Sequence, residues 1–282
     1  MRNHYVPQFL QSPWTSSDGM LLRHKLECGS AKRLSPKANG FEHDLLSLTK
    51  SQVMGMDQHV IEKVVLQRVD HEADLVRKKL AEGQLAKLTY EERCAWVRFL
   101  MSLRLRQPSV VNLLRLGAQQ TLRQKLAETH DEYQSVAIVD TFPTLEEWTE
   151  AAFPGAIENF GLSFFHELIN DETVGTKLLH LRWWVWTFNE HDHALLLGDN
   201  PCVFAGGIDS PDLAVMLPIS PSAAFIATRG DAVAYELSRA SGKGLSRNFN
   251  DATARQADRY VYAVDDASRR FIENRRPPKG AH

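Results

Sequence analysis

Hydrophobic and polar positions along the chain fall into three stretches of different period. In residues 1–56 short apolar groups are broken by turn formers. Residues 5–10 contain Pro7, which places that segment at a strand edge or strand start, and residues 20–26 read as a strand after the turn-forming pair Asp18-Gly19. Residues 29–56, with Gly29, Pro36, Gly40 and Gly55, read mostly as loop. From about Gln58 the period becomes 3.6: Val60, Ile61, Val64, Val65, Val69, Ala73, Leu75, Val76 and Leu80 make one apolar stripe that ends near Gly83. Thr89-Tyr90-Glu91-Glu92 is a capping box, in which hydroxyl and carboxylate satisfy the free N–H groups of a helix start, and the helix it opens should stop before Pro108. A further helix is expected over 110–128. Thr144-Leu145-Glu146-Glu147 is a second capping box, and 157–169 continues the helical block.

Strand patterning then returns. Residues 178–188, with Trp183, Trp184, Val185, Trp186 and Phe188, predict a buried or half-buried strand, and His191-Asp192 a turn into a return strand over 193–197. Residues 214–219 and 223–228 read as two more strands, 250–258 as a short helix, 259–264 as a strand and 267–274 as a last helix. The pattern predicts an α+β fold: a central helical block inserted between N-terminal strands and a C-terminal, mostly antiparallel sheet with short helices. It is read as a single domain, 1–282, with a helical subdomain at about 57–172 and a basic tail at about 269–282. Because chain ends often lie close together, the N-terminal strands are expected to join the C-terminal sheet, which would bring His4 to the side of Asp199.

Composition narrows this little. Of 282 residues 43% are hydrophobic and 24% charged, which excludes collagen-like, disordered and disulfide-scaffold classes. The three cysteines, Cys28, Cys94 and Cys202, are odd in number and form no C-x-x-C, which points to a reducing cytosol. No apolar run is long enough for a membrane span, so no membrane partner is expected. A formal charge of −2 gives no overall basicity. That total hides an asymmetry: residues 93–127 hold seven basic and no acidic residues, and residues 133–176 eight acidic and no basic ones. One reading is a phosphate-holding basic helical face. The other, which sequential helices favour, is two helical segments packed together with complementary charge. Arg104 and Arg106, just before Pro108, are the pair suited to clamp an anion, although cations at a helix C-terminus are also stabilising in themselves.

Chemistry could sit at Asp199-Asn200-Pro201. A carboxylate and an amide emerge together at a strand end, where Pro201 stops ladder pairing. Strand-end carboxylates hold metals and serve as general bases, while the same triplet also forms tight turns in which the Asp bonds backbone N–H groups. His4-Tyr5-Val6-Pro7 matches the opening of some ββα-metal nucleases, with His4 as general base; Asn39 and His43 would then supply the remaining site. His191 and His193 form a weaker metal-binding pattern, and Glu62 lies on the amphipathic helix beside Ile61. The chain has no H-E-x-x-H, G-x-S-x-G, Walker A or G-x-G-x-x-G motif. The block Trp183-Trp184-x-Trp186 suits core packing better than base stacking.

The opening His4-Tyr5-Val6-Pro7-Gln8-Phe9-Leu10, the later Gly198-Asp199-Asn200-Pro201, and Asn248 with Gln256-Ala257-Asp258-Arg259-Tyr260-Val261-Tyr262 together resemble domain-of-unknown-function family 4238, over roughly residues 3–265. The family's helical middle carries a Glu-containing helix and an Arg break before Pro, here Arg104 and Arg106 before Pro108. Gly198 stands where the family commonly has Ser. The resemblance implies one integrated domain and a family-like polar set of His4, Gln8, Glu62, Arg104 or Arg106, Asp199, Asn200 and Asn248. If that set converges, the most economical chemistry is a cytosolic metal-dependent hydrolase of nuclease or phosphoesterase type. His4, Asp199 and Asn200 would be catalytic, and Asp199 and Glu62 would hold a divalent metal ion. Gln8, Arg104, Arg106 and Asn248 would bind a phosphate-containing substrate, a nucleic acid or nucleotide. The alternative is a non-catalytic binding or interaction protein whose polar motifs brace the fold.

Overall fold

The structure, a computed structural model, describes residues 1–50, 55, 57–136 and 142–275. The fold is α+β. In chain order its elements are β1 (Arg2–His4), α1 (Gln8–Gln11), β2 (Leu21–Lys25), β3 (Ala31–Leu34), β4 (Phe41–His43), a π-helical segment (Ile61–Leu66) running into α2 (Gln67–Ala81), α3 (Tyr90–Leu105), α4 (Pro108–Glu128) and α5 (His130–Val136). Then follow α6 (Leu145–Ala152), α7 (Ala156–Ser163), α8 (Phe165–Ile169), α9 (Glu172–Leu179), β5 (Arg182–Thr187), β6 (Leu197–Gly198), β7 (Val203–Ala205), β8 (Ala214–Ser220), β9 (Ala223–Thr228), α10 (Asp231–Arg239), α11 (Gly242–Gln256), β10 (Tyr260–Ala263) and α12 (Arg269–Glu273). Part of the expected basic tail, from Arg276 on, lies outside the described residues. Among the described residues no helix is long and apolar enough to cross a membrane.

Contacts divide the chain into two units. Unit 1 comprises residues 1–3, 42–68 and 105–170; unit 2 comprises residues 4–41, 69–104 and 171–282. Unit 2 holds two four-stranded antiparallel sheets, one of order β3-β2-β10-β6 and one of order β5-β9-β8-β7. In the first, Tyr260 pairs with Lys25 and Ala263 with Leu22, so an N-terminal strand does join the C-terminal sheet. In the second, strand alternation sends side chains to two covers. Trp183 and Phe225 stack edge-on at 5.1 Å, and Phe225 meets Trp96 of α3 at 5.5 Å. Trp184, Trp186, Ala224 and Ile226 pack instead with Leu245 and Phe249 of α11. The C-terminal half of α11, through Ala254 and then Ala257, packs with Val261 and Ala263 of the first sheet. One helix thus covers both sheets.

In unit 1 the basic helix α4 lies on α7, which with α6 belongs to the acidic stretch, and Arg123 pairs with Glu146 of α6 at 3.0 Å. That ion pair joins the two charge blocks, whereas Arg98 pairs with Glu72, Arg93 lies over the Trp183 ring, and Glu150 of the acidic stretch meets Lys50. Arg115 donates to the carbonyls of Leu45 and Ser47. The two helices approach closely at Gly161, where a Cβ would fall 2.7 Å from the carbonyl carbon of Leu114 and 3.1 Å from the Cβ of Ala118.

Several sequence expectations fail locally. Residues 5–10 are not strand: Pro7 caps the short helix α1, its carbonyl accepting from the N–H groups of Leu10 and Gln11, and the strand falls earlier, at β1. The stretch read as loop contains β3 and β4, each too short to show a period. Leu178 ends a helix capped by Asp171, whose carboxylate accepts from the Val174 N–H. The tryptophan strand does not form a hairpin with 193–197: β5 pairs along its whole length with β9, and β6 pairs with β10 in the other sheet. β9 is buried throughout, so it takes a partner on each side. Helix α10 had no distinct pattern, and α11 starts well before Asn250, at a Ser241 cap. The Thr89–Glu92 box forms in both directions, at 3.0 and 3.2 Å.

Replacing Gly161 by Ala gains about 1 kcal/mol of helix propensity, but the added methyl meets backbone, which cannot rotate away. The expected outcome is a net loss of stability of roughly 1–3 kcal/mol in urea unfolding, whereas Gly117→Ala on the open face of α4 gains stability.

Candidate functional site

The polar motifs of unit 2 converge where the chain leaves one sheet for the other. Residues 194–202 depart from the neighbourhood of β10 and lead into β7; Leu195 and Asp199 donate to the carbonyls of Pro221 and Tyr260, Pro201 contributes no N–H, and side chains supply further hydrogen bonds. They come from α11 and the turn after it. Asn250 accepts from the N–H of Leu196 at 2.8 Å and donates to the carbonyl of Ala194 at 2.9 Å. Gln256 donates to the carbonyls of Asn200 at 2.9 Å and Cys202 at 2.8 Å. Trp14 donates to the carbonyl of Leu195 at 2.7 Å.

Asp199 is the centre of this arrangement. Its Oδ1 accepts from the N–H of Asp258 at 2.8 Å, and its Oδ2 from those of Arg259 at 2.8 Å and Tyr260 at 3.0 Å. Three successive backbone N–H groups form a nest around one carboxylate. The residue is only 2% exposed. Burial pushes its carboxyl up to about 6, against the downward pull of the Arg259, Asp258 and Tyr260 N–H bonds. The Arg259 guanidinium reaches back to the Tyr5 hydroxyl at 3.3 Å and lies 5.8 Å from the Tyr5 ring centroid. The fully buried Tyr262 has its phenol held well above its ordinary value, first by burial and then by Tyr5 and Asp199. The opening motif, the Asp-Asn-Pro turn and the C-terminal motif therefore meet, and the opening motif does so through Tyr5.

The family model described as Protein of unknown function (DUF4238) matches residues 2–267. The chain belongs to this family. No curated protein and no solved structure matches it. The DUF4238 motif segments supply the Asp199 nest and its surroundings.

The other sequence candidates are placed as follows. The His4 ring packs against Phe41 at 5.6 Å. Gln8 and Asn248 are exposed; the inward-facing amides are their neighbours Gln11, which donates to the carbonyl of Val6 at 2.7 Å, and Asn250. Asn200 offers its carbonyl, and at 3.4 Å its side-chain oxygen, to Gln256. Arg104 lies over the Phe204 ring at 5.1 Å, next to the buried Cys202, whose thiol burial pushes up. Arg106, in unit 1, is fully buried rather than a surface clamp. Glu62, also in unit 1, sits in the π-helical segment and accepts from Asn3 at 3.0 Å. Among the described residues no three His, Cys, Asp or Glu side chains are grouped to hold a metal ion. His43 lies on a strand, which removes the helical position that the ββα-metal pattern requires. The buried amides Asn3, Gln11 and Asn250 carry no motif in the sequence, whereas the half-buried Gln256 opens the C-terminal motif.

Asp199→Ala leaves three N–H groups without their acceptor, and an expected loss of roughly 2–5 kcal/mol is to be read by urea unfolding. A carboxyl raised to about 6 in the folded state favours the native protein when protonated. That contribution is complete below about pH 4 and is lost as pH rises through 6. Relative to Asp199→Asn, the wild type should lose roughly 3 kcal/mol between pH 4 and 7. At Gly198 a Cβ would meet Thr253 and Ala257 at 3.4–3.5 Å, so Gly198→Ser should change stability by less than about 1 kcal/mol.

Proposed function

We propose that this protein is a non-catalytic binding protein in which the family motifs brace the fold. The observation that supports this reading is the occupancy of Asp199. Both carboxylate oxygens accept from backbone, Oδ1 from one N–H and Oδ2 from two, so service as a metal ligand or general base has one lone pair of Oδ1 to draw on before it displaces bonds that fix the junction between two sheets. Each buried donor left behind costs about 1–3 kcal/mol. The roles of Gln256 and Asn250 point the same way, since each side chain bonds main chain of the 194–202 segment. A cytosolic setting accords with the three free cysteines.

The competing reading is the metal-dependent hydrolase. There Asp199 holds a divalent ion, His4 activates water and an arginine meets the phosphate of a nucleic acid or nucleotide. Calorimetry with Mg²⁺ and Mn²⁺, together with hydrolysis of bis(4-nitrophenyl) phosphate, separates the two readings. The expected result is no heat and no turnover that depends on Asp199. Mn²⁺-dependent hydrolysis that is lost in Asp199→Asn, with the fold intact by circular dichroism, would establish the hydrolase instead.

A further inference from the structure

Unit 1 contains a cavity of about 470 Å³ that none of the family-like polar residues lines, although its wall includes the segment that carries Glu62. Its walls are Leu48, Val60, Ile61 and Val65 on one side and Ala156, Phe160 and Leu162 of α7 on the other. The size lies within the range of small-molecule sites, about 300–1,000 Å³. One wall is the π-helical segment Ile61–Leu66, a conformation that is rare, costs regular hydrogen bonding and recurs where helices form binding sites. Ile61 is buried, and Val60 and Val65 are half-buried although both line the space.

The polar groups of the cavity define its occupant. Asn159 is engaged mainly with Thr49: its Oδ1 accepts from the Thr49 N–H at 2.9 Å and hydroxyl at 3.3 Å, and one N–H of its Nδ2 donates to the Thr49 carbonyl at 2.7 Å. The remaining polar groups are Ser163 and His166, both on exposed residues and hence at the rim. The Ser163 hydroxyl donates to the Phe160 carbonyl at 2.7 Å, so it offers a ligand only its lone pairs. The His166 imidazole carries an N–H in either tautomer and is the donor. An apolar interior with one donor at its mouth suits a molecule that is apolar over most of its length and ends in a single acceptor head.

We infer that this cavity binds a medium-chain alkyl amphiphile, with the chain between the π-helical segment and α7 and the head accepting a hydrogen bond from His166. The inference is independent of the roles given to the motifs: a metal-dependent activity at Asp199 would leave it standing, and its failure would leave the bracing of unit 2 untouched.

Decanoate and decanol are the probes, titrated into the full chain by calorimetry. Both should bind one to one. Ala156→Trp, which places an indole in the cavity, should abolish binding of both. Val65→Phe should weaken it, and supplies a second reading if the Trp variant unfolds. His166→Ala should weaken decanoate binding about tenfold, the equivalent of one hydrogen bond of roughly 1.4 kcal/mol, without moving the thermal midpoint of the unliganded protein. Absence of binding of either probe at millimolar concentration would overturn the proposal. So would binding that Ala156→Trp and Val65→Phe both leave unchanged, since that would place the probe elsewhere on the surface.

Discussion

Closure of three consecutive backbone N–H groups on the Asp199 carboxylate is the constraint on which the architecture of unit 2 depends. The chain must leave the ladder of β10 and enter that of β8 within a few residues. Past the Asp199 N–H, which still donates to the Tyr260 carbonyl of β10, its main-chain polar groups leave the first ladder, and each one buried unpaired would cost about 1–3 kcal/mol. Gln256 supplies partners to the carbonyls of Asn200 and Cys202, Asn250 to main chain just before β6, and the Asp199 carboxylate to the N–H groups of the turn after α11. Because all three bonds engage α11 or the turn after it, the helix that covers both sheets also fixes the crossing between them.

The same economy shapes unit 1. One face of α4 lies on α7, Arg123 meets Glu146, and Arg115 bonds carbonyls of the 45–47 segment, while Leu113 and Leu116 of α4 stay exposed. The near-zero formal charge is thus partly an internal matching of helices. Exposed ion pairs of this kind stabilise only weakly. What holds α4 and α7 at their close approach is the missing side chain at Gly161 and the apolar surface around it, which no count of charges reveals.

A carboxylate, an amide, a histidine and arginines drawn from distant parts of a chain are the materials of a hydrolytic site, and equally those of a buried hydrogen-bond network. What separates the two is the partner of each group. Asp199 meets main-chain N–H, and Arg104 lies over an aromatic ring. Gln8 and Asn248 are exposed while Gln11 and Asn250, a few residues away, face inward. The cavity of unit 1 is mostly apolar, and none of the family-like polar residues lines it.

The sequence by itself determined what is local. Helix starts at Thr89 and Thr144, the break at Pro108, the stop near Gly83, and the short apolar runs of β8, β9 and β10 all follow from neighbouring residues within a few turns or pleats. Family membership was legible too, because short motifs survive as letters. Strand partners were not: β5 carries a strong strand signal, yet nothing in it says that β9 rather than 193–197 lies beside it. The role of Asp199 was equally out of reach. Its donors lie 59 to 61 residues further along the chain, and whether a carboxylate holds a metal, a proton or a turn is decided by the groups that folding brings to it. Local sequence sets which conformations a segment prefers, whereas pairing and burial depend on contacts between distant segments, and only the tertiary structure specifies those.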